Sequence, residues 1–81
     1  MKVLYFAWLR ERIGTGSEEV ETNASTVAKL VAELTSREDR YAAAFADMSA
    51  VRVAVDQTMT DIDASLTGAA EVAFFPPMTG G

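Results

Sequence analysis

The 81-residue sequence predicts an α+β domain, a mixed sheet with one main helix lying across one face. Three observations predict it. Val27, Leu30, Val31 and Leu34 fall at i, i+3, i+4 and i+7, which draws one apolar stripe along a helix. Val51-Arg-Val-Ala-Val55 alternates with the period of two that a half-buried strand requires. Near the two ends, Lys2–Trp8 and Glu71–Phe75 are rich in β-branched and aromatic residues, the composition of strands. The chain has room for a single core, and 49% hydrophobic residues supply it.

In chain order, Lys2-Val-Leu-Tyr-Phe-Ala-Trp8 opens as a strand. Arg10, Glu11 and Arg12 end its apolar run without a small-residue cleavage site, so it reads as a strand and not as a signal peptide. Arg10–Ile13 is expected to form a helical turn, stopped by Gly14 and Gly16. Glu18-Glu-Val-Glu-Thr22 reads as a short second strand in a hairpin with the first. The main helix follows, capped by Ser25 or Thr26 and ending near Ser36-Arg37. Ala-rich Tyr41–Phe45 adds a shorter helical piece. The strand Val51–Val55 leads into a turn, a short strand near Thr58–Thr60, and a second turn at Ser65–Gly68. Glu71-Val-Ala-Phe-Phe75 is the last strand, stopped by Pro76-Pro77. Strand, strand, helix, strand, short strand, strand is the β-grasp order, which other small α+β folds also allow. The domain then covers 1–75, and 76–81 form a flexible tail.

Strand parity sorts the side chains. Val3, Tyr5, the three valines of 51–55, Val72 and Phe74 should face the helix. Leu4, Phe6, Trp8, Ala54, Ala73 and Phe75 should face the other way, with Lys2, Arg52 and Glu71 along the rim. One helix cannot cover both faces, so this second face is expected to be an apolar partner surface. The alternative is a register shifted by one, which would turn these residues inward. Glu18, Glu19 and Glu21 read as a solvated strand edge, not as a metal or acid–base cluster.

Composition excludes several functions. With no Cys and no His, disulfides, thiolate or imidazole metal sites and Ser-His-Asp chemistry are unavailable. A net charge of −5 opposes phosphate backbones and anionic membranes, and favours a partner with a basic face. No apolar run approaches the ~20 residues of a membrane span. The expectation is a cytoplasmic protein without nucleic-acid or membrane partners, binding no cofactor or metal itself.

The ending Pro76-Pro-Met-Thr-Gly-Gly81 has a bland reading, a frayed terminus, and a chemical one. Gly has no side chain, so Gly80-Gly81 can thread a narrow channel into another protein's active site. There an unhindered terminal carboxylate can be attacked once it has been activated as a mixed anhydride with AMP. The chemistry would then belong to the partner, and the domain would be the handle.

Glu71-Val-Ala-Phe-Phe-Pro-Pro-Met-Thr-Gly-Gly81 resembles the C-terminus of the small subunits of molybdopterin synthase, a family of ubiquitin-like sulfur carriers. Lys2–Gly14 resembles that family's first strand and turn, and Asp56-Gln-Thr-Met59 with Leu66-Thr67 its middle segment. The Phe-Phe-Pro-Pro-x-Thr-Gly-Gly ending is the specific part. The resemblance implies a β-grasp fold and a cycle. A ubiquitin-activating-type adenylyltransferase uses ATP to adenylate Gly81, and a sulfur donor protein converts the adenylate to a thiocarboxylate. The carrier then docks on the large synthase subunit, two small on two large, and gives sulfur to cyclic pyranopterin monophosphate during molybdenum cofactor biosynthesis. It implies that Phe6, Met59 and Phe75 are hydrophobic partner contacts. Arg10 becomes a basic residue near them, and Thr79, Gly80 and Gly81 the inserted tail. Trp8 matches nothing characteristic of the family.

Other readings compete. A thiamine-pathway sulfur carrier would share fold and chemistry, but the Phe-Phe-Pro-Pro-x-Thr ending argues against it. A ubiquitin-like protein modifier would form isopeptide bonds, and an interaction module would leave the tail inert. A free-standing enzyme lacks the side chains.

Overall fold

A computed structural model of the chain describes residues 1–77. The five strands are β1 (Lys2–Tyr5), β2 (Ser17–Glu19), β3 (Arg52–Val55), β4 (Thr58–Thr60) and β5 (Glu71–Phe75). They form one mixed sheet in the order β2-β1-β5-β3-β4. β1 and β5 run parallel, and the other neighbours are antiparallel. The main helix α2 (Val27–Arg37) buries its stripe, Val27, Leu30, Val31 and Leu34, with Val3, Tyr5, Val53, Val72 and Phe74 in one core. Phe74 stands edge-on to Phe45, with ring centroids 5.0 Å apart, and stacks on Tyr5 at 6.1 Å.

Thr26 caps α2, its hydroxyl oxygen accepting from the Lys29 amide at 3.2 Å. The loop before β5 straps the same helix end. Val27 and Ala28 donate to the carbonyls of Ala64 and Ile62, and the Leu66 amide donates to Ser25. Helix α3 (Asp39–Ala44) is the predicted shorter piece, and a 3-10 turn at Met48–Ala50 leads into β3. No described helix is long and apolar enough to cross a membrane.

The first strand is shorter than expected. It stops at Tyr5, and α1 (Trp8–Ile13) begins at the tryptophan. Phe6 to Leu9 make a tight turn closed by the Leu9 amide on the Phe6 carbonyl at 3.2 Å. Ala7 sits in it at φ 54°, a conformation that disfavours a Cβ. Trp8 therefore leaves the sheet and packs half-buried against the core, with the Arg12 guanidinium 5.3 Å from its ring centroid. The strand alternation that would set Trp8 beside Leu4 and Phe6 is broken by this turn. Gly14, at φ 96°, ends α1 in the left-handed conformation, its amide on the Arg10 carbonyl. Ala7→Gly is expected to raise stability by about 0.5–1 kcal/mol, since it relieves the positive φ. A two-state denaturation curve checks it, and a loss of stability would contradict the strain.

β2 is also shorter than the expected Glu18–Thr22 and starts one residue earlier. Glu18 pairs with Val3 and so lies on the helix side of the sheet. Its Oε2 accepts from the Tyr5 hydroxyl at 2.7 Å and the Tyr41 hydroxyl at 2.6 Å. Arg40 extends the network, donating to the Tyr41 oxygen at 3.0 Å and to the Ile13 carbonyl at 2.8 Å. Glu18 is thus not part of a solvated edge, whereas Glu19 and Glu21 are exposed. The tyrosines reach the carboxylate from β1 and from α3.

Candidate functional site

The face of the sheet away from α2 carries the site. Register lines up Leu4, Ala73, Ala54 and Met59 as one row running across β1, β5, β3 and β4. Beside that row, Phe75 pairs with Arg52, and Phe6 continues the β1–β5 ladder by donating its amide to the Phe74 carbonyl at 3.0 Å. Phe6 is 48% exposed and Met59 65%. Leu4 and Phe75 are half-buried, yet neither they nor Phe6 and Met59 belong to the core cluster. Leu4, Phe6 and Phe75 lie on the face where strand parity expects them, and Met59, which the family resemblance singles out, joins them there.

Two of its members differ from expectation. Ala54 and Ala73 lie on this face but are buried, each at 8% exposure. Flanked by larger neighbours in the middle of the sheet, a methyl group presents little surface. They form the floor, and Phe6, Met59 and Phe75 stand above it.

The rim is charged at both ends. Lys2 faces Glu71 on one side and Glu19 on the other. At the opposite end Arg52 is exposed and donates to the carbonyls of Ser49 and Val51. Arg10 is exposed in α1, and its side chain lies 3.4 Å from the place a Cβ on Gly16 would take. Gly16 precedes Ser17, the β2 partner of Leu4, so Arg10 sits by the hairpin end of the row. It makes no ion pair among the described residues.

β5 is the central strand, paired on both sides, and it carries the chain from the sheet into Pro76-Pro77 between Phe6 and Arg52. Its start is pinned by Asp56, a residue that sequence reasoning missed. The Asp56 carboxylate accepts the amides of Ala70 and Glu71 at 2.9 and 3.0 Å, and its own amide donates to the Glu71 carbonyl. Asp56 and Gln57, both at positive φ, form the two-residue turn between β3 and β4. An Asp opening such a turn is the available signal, though its partner strand begins 15 residues away. Thr79, Gly80 and Gly81 lie outside the described residues. No group of His, Cys, Asp and Glu that could hold a metal occurs among the described ones.

Residues 3–81, Gly80-Gly81 included, match the model of the ThiS family. The chain belongs to the ThiS family. It is 44% identical to the molybdopterin synthase sulfur carrier subunit of Escherichia coli strain K12, over 81 residues that cover all of this chain and 99% of that one. The protein of the same name from Haemophilus influenzae is 33% identical over the same coverage. Among solved structures, SAMP1 from Haloferax volcanii matches with a TM-score of 0.77 at 21% identity, over all of this chain and 98% of its own. This ThiS-family chain therefore has the ubiquitin-like β-grasp fold, and the alternatives that element order left open fall away.

Proposed function

We propose that the chain is the sulfur carrier subunit of molybdopterin synthase, a cytoplasmic protein whose reactive group is the carboxylate of Gly81. The observation that carries the reading is the full-length likeness to sulfur carrier subunits of that name, which runs through the Gly-Gly end. The fold supports it. A central strand runs into Pro76-Pro77 beside an apolar, charge-rimmed face, an arrangement suited to a tail inserted in a partner while the domain docks alongside.

In this cycle the Gly81 carboxylate attacks the α-phosphorus of ATP in an activating enzyme, and pyrophosphate leaves. The terminal sulfur of a donor protein's persulfide attacks the acyl carbon, AMP leaves, and a thiol reductant cleaves the resulting acyl disulfide to the thiocarboxylate. On the large subunit that sulfur attacks cyclic pyranopterin monophosphate, and water then hydrolyses the acyl C–S bond, so that sulfur stays on the substrate and the carrier returns as a carboxylate. Phe6, Met59 and Phe75 hold both partners in turn, Arg10 adds charge at the hairpin end, and Thr79-Gly80 thread the channel. The chain supplies no acid, base or metal ligand to these steps, in keeping with its lack of Cys and His.

The absence of Cys makes the test clean. The chain, untagged at its C-terminus, is incubated with ATP, the activating enzyme and a sulfur donor, then treated with a thiol alkylator and mapped by mass spectrometry. An adduct at Gly81 is expected, because no other thiol exists in the chain. No adduct, or Lys-linked conjugates in its place, would end the sulfur-carrier reading.

Phe6→Ala tests the face separately. Affinity for the large subunit is expected to fall about tenfold or more, as for a central aromatic anchor. Stability should change by less than about 1 kcal/mol, because Phe6 lies outside the core cluster. Titration calorimetry and a thermal melt decide it; unchanged affinity with a large loss of stability would make Phe6 a core residue.

A further inference from the structure

We infer that Met59 is an oxidation site through which peroxide controls docking of the outer face. Met59 is the most exposed large apolar residue described, at 65%, on a three-residue strand at the edge of the sheet. Its neighbour across the register, Ala54, is too small to shield the sulfur. Met1 and Met48 are partly buried and packed against the core. With no Cys in the chain, methionine provides all of its side-chain sulfur. A thioether attacks one peroxide oxygen, the O–O bond breaks, and an S–O bond forms. Sulfur loses two electrons, and the released hydroxide takes a proton to become water. The sulfoxide places a strong acceptor in a row otherwise made of Leu4, Ala73 and Ala54, none of which can donate from its side chain. Covering it with a partner would cost the water bound to that oxygen.

The docking half of this inference rests on the proposed large-subunit complex; the selectivity half does not. The test uses the full chain and hydrogen peroxide, with a peptide map of sulfoxide at every Met against time, and affinity for the large subunit at each point. Met59 is expected to oxidise at least about threefold faster than Met1 or Met48. In a Met78→Leu chain, which removes the tail thioether, affinity should fall about tenfold in proportion to Met59 sulfoxide. Treatment with methionine sulfoxide reductases of both stereospecificities should restore it. Equal rates at the three sites would overturn the site, and unchanged affinity at full Met59 oxidation would overturn the control. An untreated chain that fails to bind the large subunit would overturn the docking reading, and the control with it, while the map still reports on Met59 alone.

Discussion

Deletion of Gly81 is expected to reduce molybdopterin formation to background while leaving the thermal melt within about 0.5 kcal/mol of the parent. Among the described residues every member of the core lies between Val3 and Phe74, upstream of the deleted glycine. What the deletion removes is the group proposed to carry sulfur, and no side chain in this sequence can take its place. A new terminal carboxylate on Gly80 would still be chemically able to form an adenylate. It would sit one residue, about 3.3 Å, short of its position in the partner's channel. Displacements of that size are enough to abolish a reaction that depends on positioning. The assay combines the large subunit, the activating enzyme, ATP and a sulfur donor, and reads dithiolene product. Sustained turnover by the truncated chain would mean that the tail is not the sulfur carrier.

Glu18→Ala is expected to cost about 3 kcal/mol, the loss of two hydrogen bonds from buried tyrosines to one carboxylate. For a domain of this length that is a fall in Tm on the order of 15 °C. The same network sets the alkaline limit. Burial first, and then the hydrogen bond to Glu18, push the Tyr41 hydroxyl up to about 12, and the same two causes raise Tyr5. An unfolded tyrosine titrates near 10. Because the folded values lie above the unfolded ones, the stabilisation is complete below about pH 10 and is lost as pH rises through about 12. These are the two tyrosines of the chain, so tyrosinate absorbance reports on the network alone. In the parent it should lag behind that of the urea-unfolded chain. In Glu18→Ala, with Tyr41 and Tyr5 deprived of their acceptor, the lag should shrink. A parent that ionises near pH 10 without unfolding would contradict the buried network.

The two predictions separate what the residues disclose from what they conceal. Period and parity placed Val3, Tyr5, Val53, Val72 and Phe74 inward, and Phe6 and Phe75 outward, because alternation survives in any regular strand. The ends of β1 and β2 were not legible. Lys2–Trp8 is uniformly apolar beyond Lys2, and composition cannot reveal that the backbone reverses at Ala7, a residue with no preference for positive φ. Glu18 was missed for a related reason. Three glutamates in four residues resemble a wet edge, and only the β1–β2 register with α3 packed above turns one of them inward. Ala54 and Ala73 follow the right face but the wrong exposure, since parity orders direction and not depth.

The position of β5 has a mechanical meaning. Any partner that draws on the tail pulls along the axis of this strand. Its hydrogen bonds to β1 and β3 lie across that axis, so a tug on Pro77 strains both ladders in shear, many bonds at once. An edge strand under the same force would peel one bond at a time. Asp56, at the far end, holds the amides of Ala70 and Glu71 against the same tug. In the proposed cycle, the domain can therefore be hauled by its tail into and out of each partner without being unravelled.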